Sequence, residues 1–439
     1  MKTQLRQFLI AAQLSLTTVA AFGATLRNAT LVITPTNVNQ VAISWQAKSA
    51  VPLPGLQIVP NYQLEKTADL TNWVNAGAPM TGANNQLLRM IEPAPDGLAF
   101  YRVKSVVDKS LAHLNQANLS NGELALANFF GAELFAANLS GANLTGADLR
   151  AADLRFATLT DAIADGADFF AADLTLATAE FVSLRNADFS FVAAEGADLF
   201  AADLQGADLS SAILTGADLR FVTFRFVTLD AHTMLDSKWI TVWQLVNDQA
   251  TNSVFINQDL SIADLRSANM SGKNFSGSDF SSSSLAGADL RNANFTGANL
   301  RFVIFHSALM DLTTMIEAKS RLVWEIVNQG AAGRDLHGTN LSNTFLADAD
   351  LRGVNLTNAT LSLAILEGAN LGGGNLRSVN FIQADCLDAI FTNAALNSAV
   401  FTGADLTRAN FFGATTNGAI FSGATFFQTI MPDGSIRNF

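Results

Sequence analysis

From Leu114 onward the chain sets an apolar side chain at every fifth position, and Ala, Gly or Val almost always stands two residues before it. The stretch Gly141 to Leu149, "GANLTGADL", holds two units end to end: small, small, Asn or Asp, Leu, and a variable residue. Stepping by five from Leu144 gives an unbroken register from Leu114 to Met234, about 25 centres, of which only Ala164, Ala179 and Ala194 are not Leu, Phe or Met. A period of five matches neither the 3.6 of a helix nor the 2.0 of a flat strand. The backbone must therefore turn regularly. If each unit forms one side of a coil, four units close a square turn of twenty residues, with the centre and the small residue inward and the other three outward. Coils of this kind stack at ~4.8 Å, the spacing of hydrogen-bonded strands. Gly, Ser or Ala near the corners eases the turn, and Asn or Asp side chains bond local backbone. The Ala centres thin the core, and Phe169, Phe181 and Phe191 are the expected filling.

Two near-identical segments reset the phase: "TMLDSKWITVWQLVN" from Thr233 and "TMIEAKSRLVWEIVN" from Thr314. Trp239, Val242, Trp243 and Val246 in the first, and Leu322, Val323, Ile326 and Val327 in the second, predict short amphipathic helices. The expected organisation is a repeat array over 109–234, a helical insertion over 235–259, a second array over 260–315, a second insertion over 316–335 and a third array over 336–431. Residues 432–439, which include Pro432-Asp433-Gly434, are the expected cap. Such ends need covering because stacked coils expose unpaired backbone.

Before the arrays the pattern differs. "TLVIT", "VAISW", "YQLEK" and "FYRVKSV" are β-branched and aromatic runs, separated by turn signals such as Pro52-Leu53-Pro54-Gly55 and Pro93-Ala94-Pro95-Asp96-Gly97. A small antiparallel β-sandwich over 24–108 is predicted, with Trp45, Tyr62 and Trp73 in its core. Its order of motifs resembles fibronectin type III-like modules of secreted bacterial proteins. Further upstream, Lys2 and Arg6 precede an uncharged run from Phe8 to Gly23, which reads as a signal peptide over 1–23. The mature chain is then secreted or periplasmic; without that signal it is cytoplasmic. No later window suits a membrane span, since Asp or Asn recurs every few residues.

Units such as "GANLT", "GADLR", "AADLQ" and "GADLS" resemble the A(D/N)LXX repeats of the pentapeptide repeat family, over about three quarters of the chain. That resemblance implies an all-β fold: a right-handed quadrilateral parallel β-helix, here a pentapeptide repeat solenoid with an N-terminal small β-sandwich and two short helical insertions.

Charge narrows the function classes. Residues 1–108 carry 8 basic and 5 acidic side chains, whereas 109–234 carry 6 and 16. An acidic array argues against direct binding to nucleic acid phosphates and favours a basic partner. The single cysteine, Cys386, stands at a centre position and reads as a buried, inert group; with one cysteine, no intrachain disulfide or multi-cysteine metal site can form. His113, His232, His306 and His337 recur at no useful spacing, and no phosphate or dinucleotide loop motif occurs. No catalytic, cofactor-binding or metal-binding residue is assigned, and the chain is read as non-enzymatic.

One chemical pattern stands out. Asp148, Asp168, Asp188 and Asp208 are spaced by twenty residues and must align on one face; Asp198 with Asp218, and Asp153 with Asp173, form shorter columns. These four aspartates, with Trp243 and Trp324 of the insertions, are the candidate partner-binding residues. The reading is a non-catalytic scaffold that presents an acidic β-helical surface to an unknown protein or basic surface, with a homodimer left open. The resemblance supplies one alternative, a DNA-mimicking binder of a type II topoisomerase such as DNA gyrase. A calcium-dependent surface or adhesion protein is another.

Overall fold

The computed structural model describes residues 109–438 and, ahead of them, the backbone of seven strands. These are β1 (Leu31–Asn37), β2 (Gln40–Gln46), β3 (Pro60–Thr67), β4 (Val74–Asn75), β5 (Met80–Thr81), β6 (Leu87–Pro93) and β7 (Phe100–Val107). They pair antiparallel in two sheets, one ordered β1-β2-β6 and one in which β3 pairs with β4, β5 and β7. The four runs read as strands from sequence fall in β1, β2, β3 and β7. How the sheets pack, the expected core aromatics Trp45, Tyr62 and Trp73, and the signal peptide lie outside the described residues. The chain divides into two compact units, Met1–Asp236 and Ser237–Phe439.

The arrays are built from coils whose geometry follows from a complete accounting of backbone donors. In the unit around Leu144, Asn143 N–H donates to Gly122 O of the preceding coil (2.9 Å), while Leu144 N–H and Gly146 N–H donate to Ile163 O (2.6 Å) and Asp165 O (2.9 Å) of the following one. Ala147 N–H closes a turn on Leu144 O (2.9 Å). That leaves only Thr145 N–H, and it donates to the Asn143 side-chain oxygen at 3.2 Å. All five donors are thereby satisfied, as buried or half-buried backbone requires. The residue before each centre pairs in parallel with its counterpart twenty residues away, from His113 with Glu133 through to Asn410 with Ile430. Four units per coil are thus a property of the fold, which is a β-helical solenoid.

Each turn demands positive φ at its third residue, as in a type II turn. Gly141 (φ 65°) meets this without strain, and a Cβ there would also lie 2.6 Å from Asn121 Oδ1. The corners are not confined to small residues, however: Phe156, Phe181, Phe191 and Phe226 occupy the same left-handed region at φ 56–61°.

Inside, the centres and the small residues before them form the core: Leu144, Ala142, Leu149 and Ala147 are fully buried. The expected filling beside the Ala centres is half right. Phe169 is buried and lies 5.0 Å from Phe189, but Phe181 and Phe191 stand at corners and face solvent. Their side chains cannot reach the axis, because the corner position points away from it. In the third array the core is an aromatic stack, with Phe381 and Phe401 at 4.6 Å and Phe391 and Phe411 at 4.8 Å, their rings nearly parallel.

The array ends also differ from the sequence register. Met234 and Met315 are not centres: they pair with Ile213 and Asn294, twenty-one residues back, and half of each is exposed. One extra residue enters each last turn, where Asp230 and Asp311 accept N–H bonds from His232 and Thr233 and from Thr313 and Thr314. Leu235 takes the inward place after the first. Coil pairing restarts at Val254, so the first buried centre of the second array is Phe255, one unit ahead of Leu260.

Both insertions are helical: α1 spans Ser237–Val246 and α2 spans Ala318–Gln329. Their buried faces are Trp239, Val242 and Leu245, and Ser320, Val323 and Ile326, a narrower stripe than the sequence pattern suggested. At the C-terminal end, β8 (Thr429–Ile430) and β9 (Ile436–Arg437) form a hairpin across Pro432-Asp433-Gly434. Pro432 O accepts Gly413 N–H at 3.0 Å, and the Arg437 guanidinium sits 3.8 Å from the Phe426 ring centroid.

Candidate interaction surface

The acidic column exists as an alignment: Asp148, Asp168, Asp188 and Asp208 pair successively between neighbouring coils. Each carboxylate has a backbone task, because its Oδ1 accepts the N–H two residues on, from Arg150, Phe170, Ser190 and Ser210. This is the donor the coils leave over. Asparagine performs the same task at Asn128, Asn138 and Asn143. What the turn uses at this position is an acceptor and not a charge, and it also forms where the position holds no acceptor, as at Ile163 and Ala193.

Charge is compensated unevenly along the column. Arg150 grips Asp148 through two bonds (Nε to Oδ1 2.9 Å, Nη2 to Oδ2 2.7 Å) and reaches Asp168 at 3.4 Å. The guanidinium holds the Asp148 carboxyl below its ordinary range. Asp188 and Asp208 instead take hydroxyl bonds from Ser190 (2.5 Å) and Ser210 (2.6 Å). A second acidic crowding was not singled out from sequence: Glu180 lies close enough to Asp198 for the aspartate's charge to push its carboxyl upward. Only coil stacking brings these two together, since eighteen residues separate them.

The corner beside the column is aromatic. Phe130, Arg150, Phe170 and Phe191 follow one another along it, with the Arg150 guanidinium 5.5 Å from the Phe130 centroid and Phe170 5.3 Å from Phe191. Phe191 is 58% exposed. Other corners repeat the arrangement: Phe181 meets Phe200 at 5.4 Å, and the Arg220 guanidinium lies 5.2 Å from Phe200. Sequence reasoning missed Phe130, Phe170 and Phe200, and assigned Phe181 and Phe191 to the core, because the repeat's variable positions carry no periodic signal.

Trp243 on α1 and Trp324 on α2 are half-buried. Trp324 donates its Nε1–H to Ala308 O at 2.7 Å, and its neighbours on α2 work the same way. Arg321 donates to Thr314 O (2.6 Å), Lys319 to Ser342 O (2.5 Å), and Asn328 donates to Phe305 O (2.9 Å) while accepting Ser307 N–H (2.5 Å). Side chains of α2 thus satisfy coil edges that the interruption leaves open.

Other chemistry is dispersed. His113, His232 and His337 each sit beside one acidic neighbour, and His306 packs edge-on to Phe345. Cys386 is fully buried, and burial pushes its thiol well above the ordinary range. Among the described residues no cluster of His, Cys, Asp and Glu is arranged to hold a metal ion, and no helix is long and apolar enough to cross a membrane.

The profile of the family described as "Pentapeptide repeats" matches residues 132–175, 152–190, 195–230, 259–297, 274–315, 335–373, 366–396, 375–413 and 389–428, more than half of the chain. Among solved structures the chain is similar to HetL, a pentapeptide repeat protein involved in heterocyst differentiation regulation from the cyanobacterium Nostoc, at 25% identity over 71% of this chain and 91% of that one, with a TM-score of 0.20. A pentapeptide repeat protein from the Arabidopsis thaliana thylakoid lumen matches at 30% identity over 26% of this chain and 79% of its own, with a TM-score of 0.22. Full-length QnrB1, a plasmid-mediated fluoroquinolone resistance protein, matches at 15% identity over 66% and 90%, with a TM-score of 0.10. No curated protein gives a significant match. At these TM-scores the structural matches carry no functional inference.

Proposed function

The chain belongs to the pentapeptide repeat family, and from that premise we propose that it is a non-catalytic, exported scaffold whose first array binds a protein with a basic and partly apolar surface. One observation carries the reading: large aromatic side chains are held in left-handed backbone beside the acidic column. Phe191, at φ 59°, is more than half exposed beside it, and Phe181, at φ 56° and also more than half exposed, repeats the arrangement at another corner. A bulky residue in that conformation costs about 1–2 kcal/mol relative to glycine, and exposed side chains recover little of it through burial. The aspartates support the same reading, because asparagine would serve the turn equally well. A partner that offers Lys or Arg to Asp188 and Asp208 and apolar groups to Phe170 and Phe191 satisfies both features.

The test is affinity capture with the full chain from periplasmic and secreted fractions, compared with a variant carrying Asp188→Asn, Asp208→Asn and Phe191→Gly. Expected is a basic protein whose capture weakens with salt and is lost in the variant. Equal capture by both chains overturns the proposal, as does self-association into a homodimer through this face. A second reading, imitation of duplex DNA toward DNA gyrase, draws on the regular coil spacing of the carboxylates. It requires a cytosolic protein that retains Met1 and inhibits supercoiling, so cell fractionation separates the two.

A further inference from the structure

Helix α2 leaves a cavity of about 200 Å³ where its first turn meets the last coil of the second array and the first coil of the third. Its polar lining includes Arg301, Glu317, Lys319, Ser320 and Asn343. We infer that this cavity binds a small oxyanion, the carboxylate or phosphate group of a metabolite, independently of the acidic surface on the first array.

Four features converge on that chemistry. The side chain of Ser320 is 7% exposed, lines the cavity and has no hydrogen-bond partner among the described residues. An unpaired buried hydroxyl carries a desolvation cost that a bound acceptor would offset. Second, Glu317 at the N-cap of α2 makes no side-chain cap bond, so the first-turn N–H groups of the helix keep their positive end uncovered. Third, Arg301 and Lys319 both line the cavity, each with one bonded donor (to Asn343 Oδ1 and to Ser342 O) and others to spare. Burial pushes the Lys319 ammonium below its ordinary range, with Glu317 opposing the shift and Arg301 adding a smaller repulsion, an arrangement an anion would relieve. Two cations face one carboxylate, that of Glu317, which is exposed. Fourth, Leu300 also lines the cavity, and its N–H, the kind that bonds to the following coil elsewhere, has no partner among the described residues.

The two insertions locate the origin of the space. Aligned on their shared sequence, Lys319 corresponds to Lys238 and Ser320 to Trp239. Trp239 is 6% exposed, and the Lys238 ammonium lies 5.0 Å from its ring centroid. Where α1 carries an indole, α2 carries a hydroxymethyl group, and the difference in volume is left open. Lys followed by Trp is thus already accommodated in this helix type, which supplies a clean test.

Isothermal titration of the full chain with inorganic phosphate, and separately with citrate, is expected to give saturable binding to one site in at least one arm, and the stronger arm identifies the oxyanion. Arg301→Gln should weaken it at least about tenfold, the usual effect of removing a charged hydrogen-bond donor. Ser320→Trp should abolish it with the melting temperature unchanged, because the indole fills the cavity without breaking a bond. Absence of saturation with both probes up to millimolar concentration overturns the inference, and so does undiminished binding in Ser320→Trp. If Ser320→Trp melts early, Ser320→Ala serves in its place: a several-fold loss supports the site and unchanged affinity overturns it.

Discussion

At the scale of single residues, the aspartates of the column do two jobs that substitutions can separate. Asp188→Asn keeps the acceptor for Ser190 N–H and should leave stability within about 0.5 kcal/mol, whereas Asp188→Ala strands that donor and should cost about 1 kcal/mol. Chemical denaturation of both variants checks the difference. The same logic sets the acid limit of the fold. Arg150, Arg155 and Arg220 hold Asp148, Asp153 and Asp218 below the ordinary carboxyl range, chiefly through side-chain hydrogen bonds. A depressed folded pKa contributes stability that is fully present above the unfolded value near ~3.9 and is lost as pH falls through the folded one. The melting temperature should therefore stay level down to about pH 4 and decline below it, modestly because these pairs are partly exposed. Glu180 acts with the opposite sign: its raised carboxyl means repulsion from Asp198 that protonation removes. Phe191→Gly relieves left-handed strain while giving up one ring contact, so calorimetry should find no loss of stability even as partner capture falls.

At the scale of elements, helix α2 is an internal cap as much as an insertion. Asn328 on α2 joins Phe305 O and Ser307 N–H of the coil beneath, so Asn328→Ala should destabilise by about 1–3 kcal/mol in equilibrium unfolding, well beyond the effect of an ordinary helix substitution. An unchanged midpoint would mean that solvent satisfies that edge. The sequence made the helices legible because two copies of one pattern share an apolar stripe. It did not expose the capping role of α2, since Trp324, Arg321 and Asn328 meet their carbonyl partners only across the fold. Nor did it disclose the extra residue before Met234 and Met315. A methionine at the fifth place satisfies a periodic reading, and only the turn closed by Asp230 or Asp311 shows the added residue, after which Leu235 takes the inward place in the first array.

At the scale of the whole molecule, the solenoid rests on repetition, and its ends and its surface decide what it can do. The C-terminal end is closed by the β8–β9 hairpin, with Arg437 over Phe426. Removing residues 24–108 should expose the first edge of the first array, at Leu111 and Leu114, and light scattering should record increased self-association; an equally soluble monomer would exclude a capping role for that segment. The sequence by itself determined the coil. A period of five with alternating inward sizes admits one way to bury its apolar positions, and where Asn or Asp precedes a centre it supplies the acceptor for the one backbone donor the coil leaves unpaired. What only the tertiary structure decided is where charges and rings meet: which aspartates share an arginine, which phenylalanines turn outward at a corner, and where α2 leaves an open cavity beside Ser320. Those outcomes depend on neighbours twenty residues away in the next coil, or on a helix that replaces a coil, and no local pattern encodes such contacts.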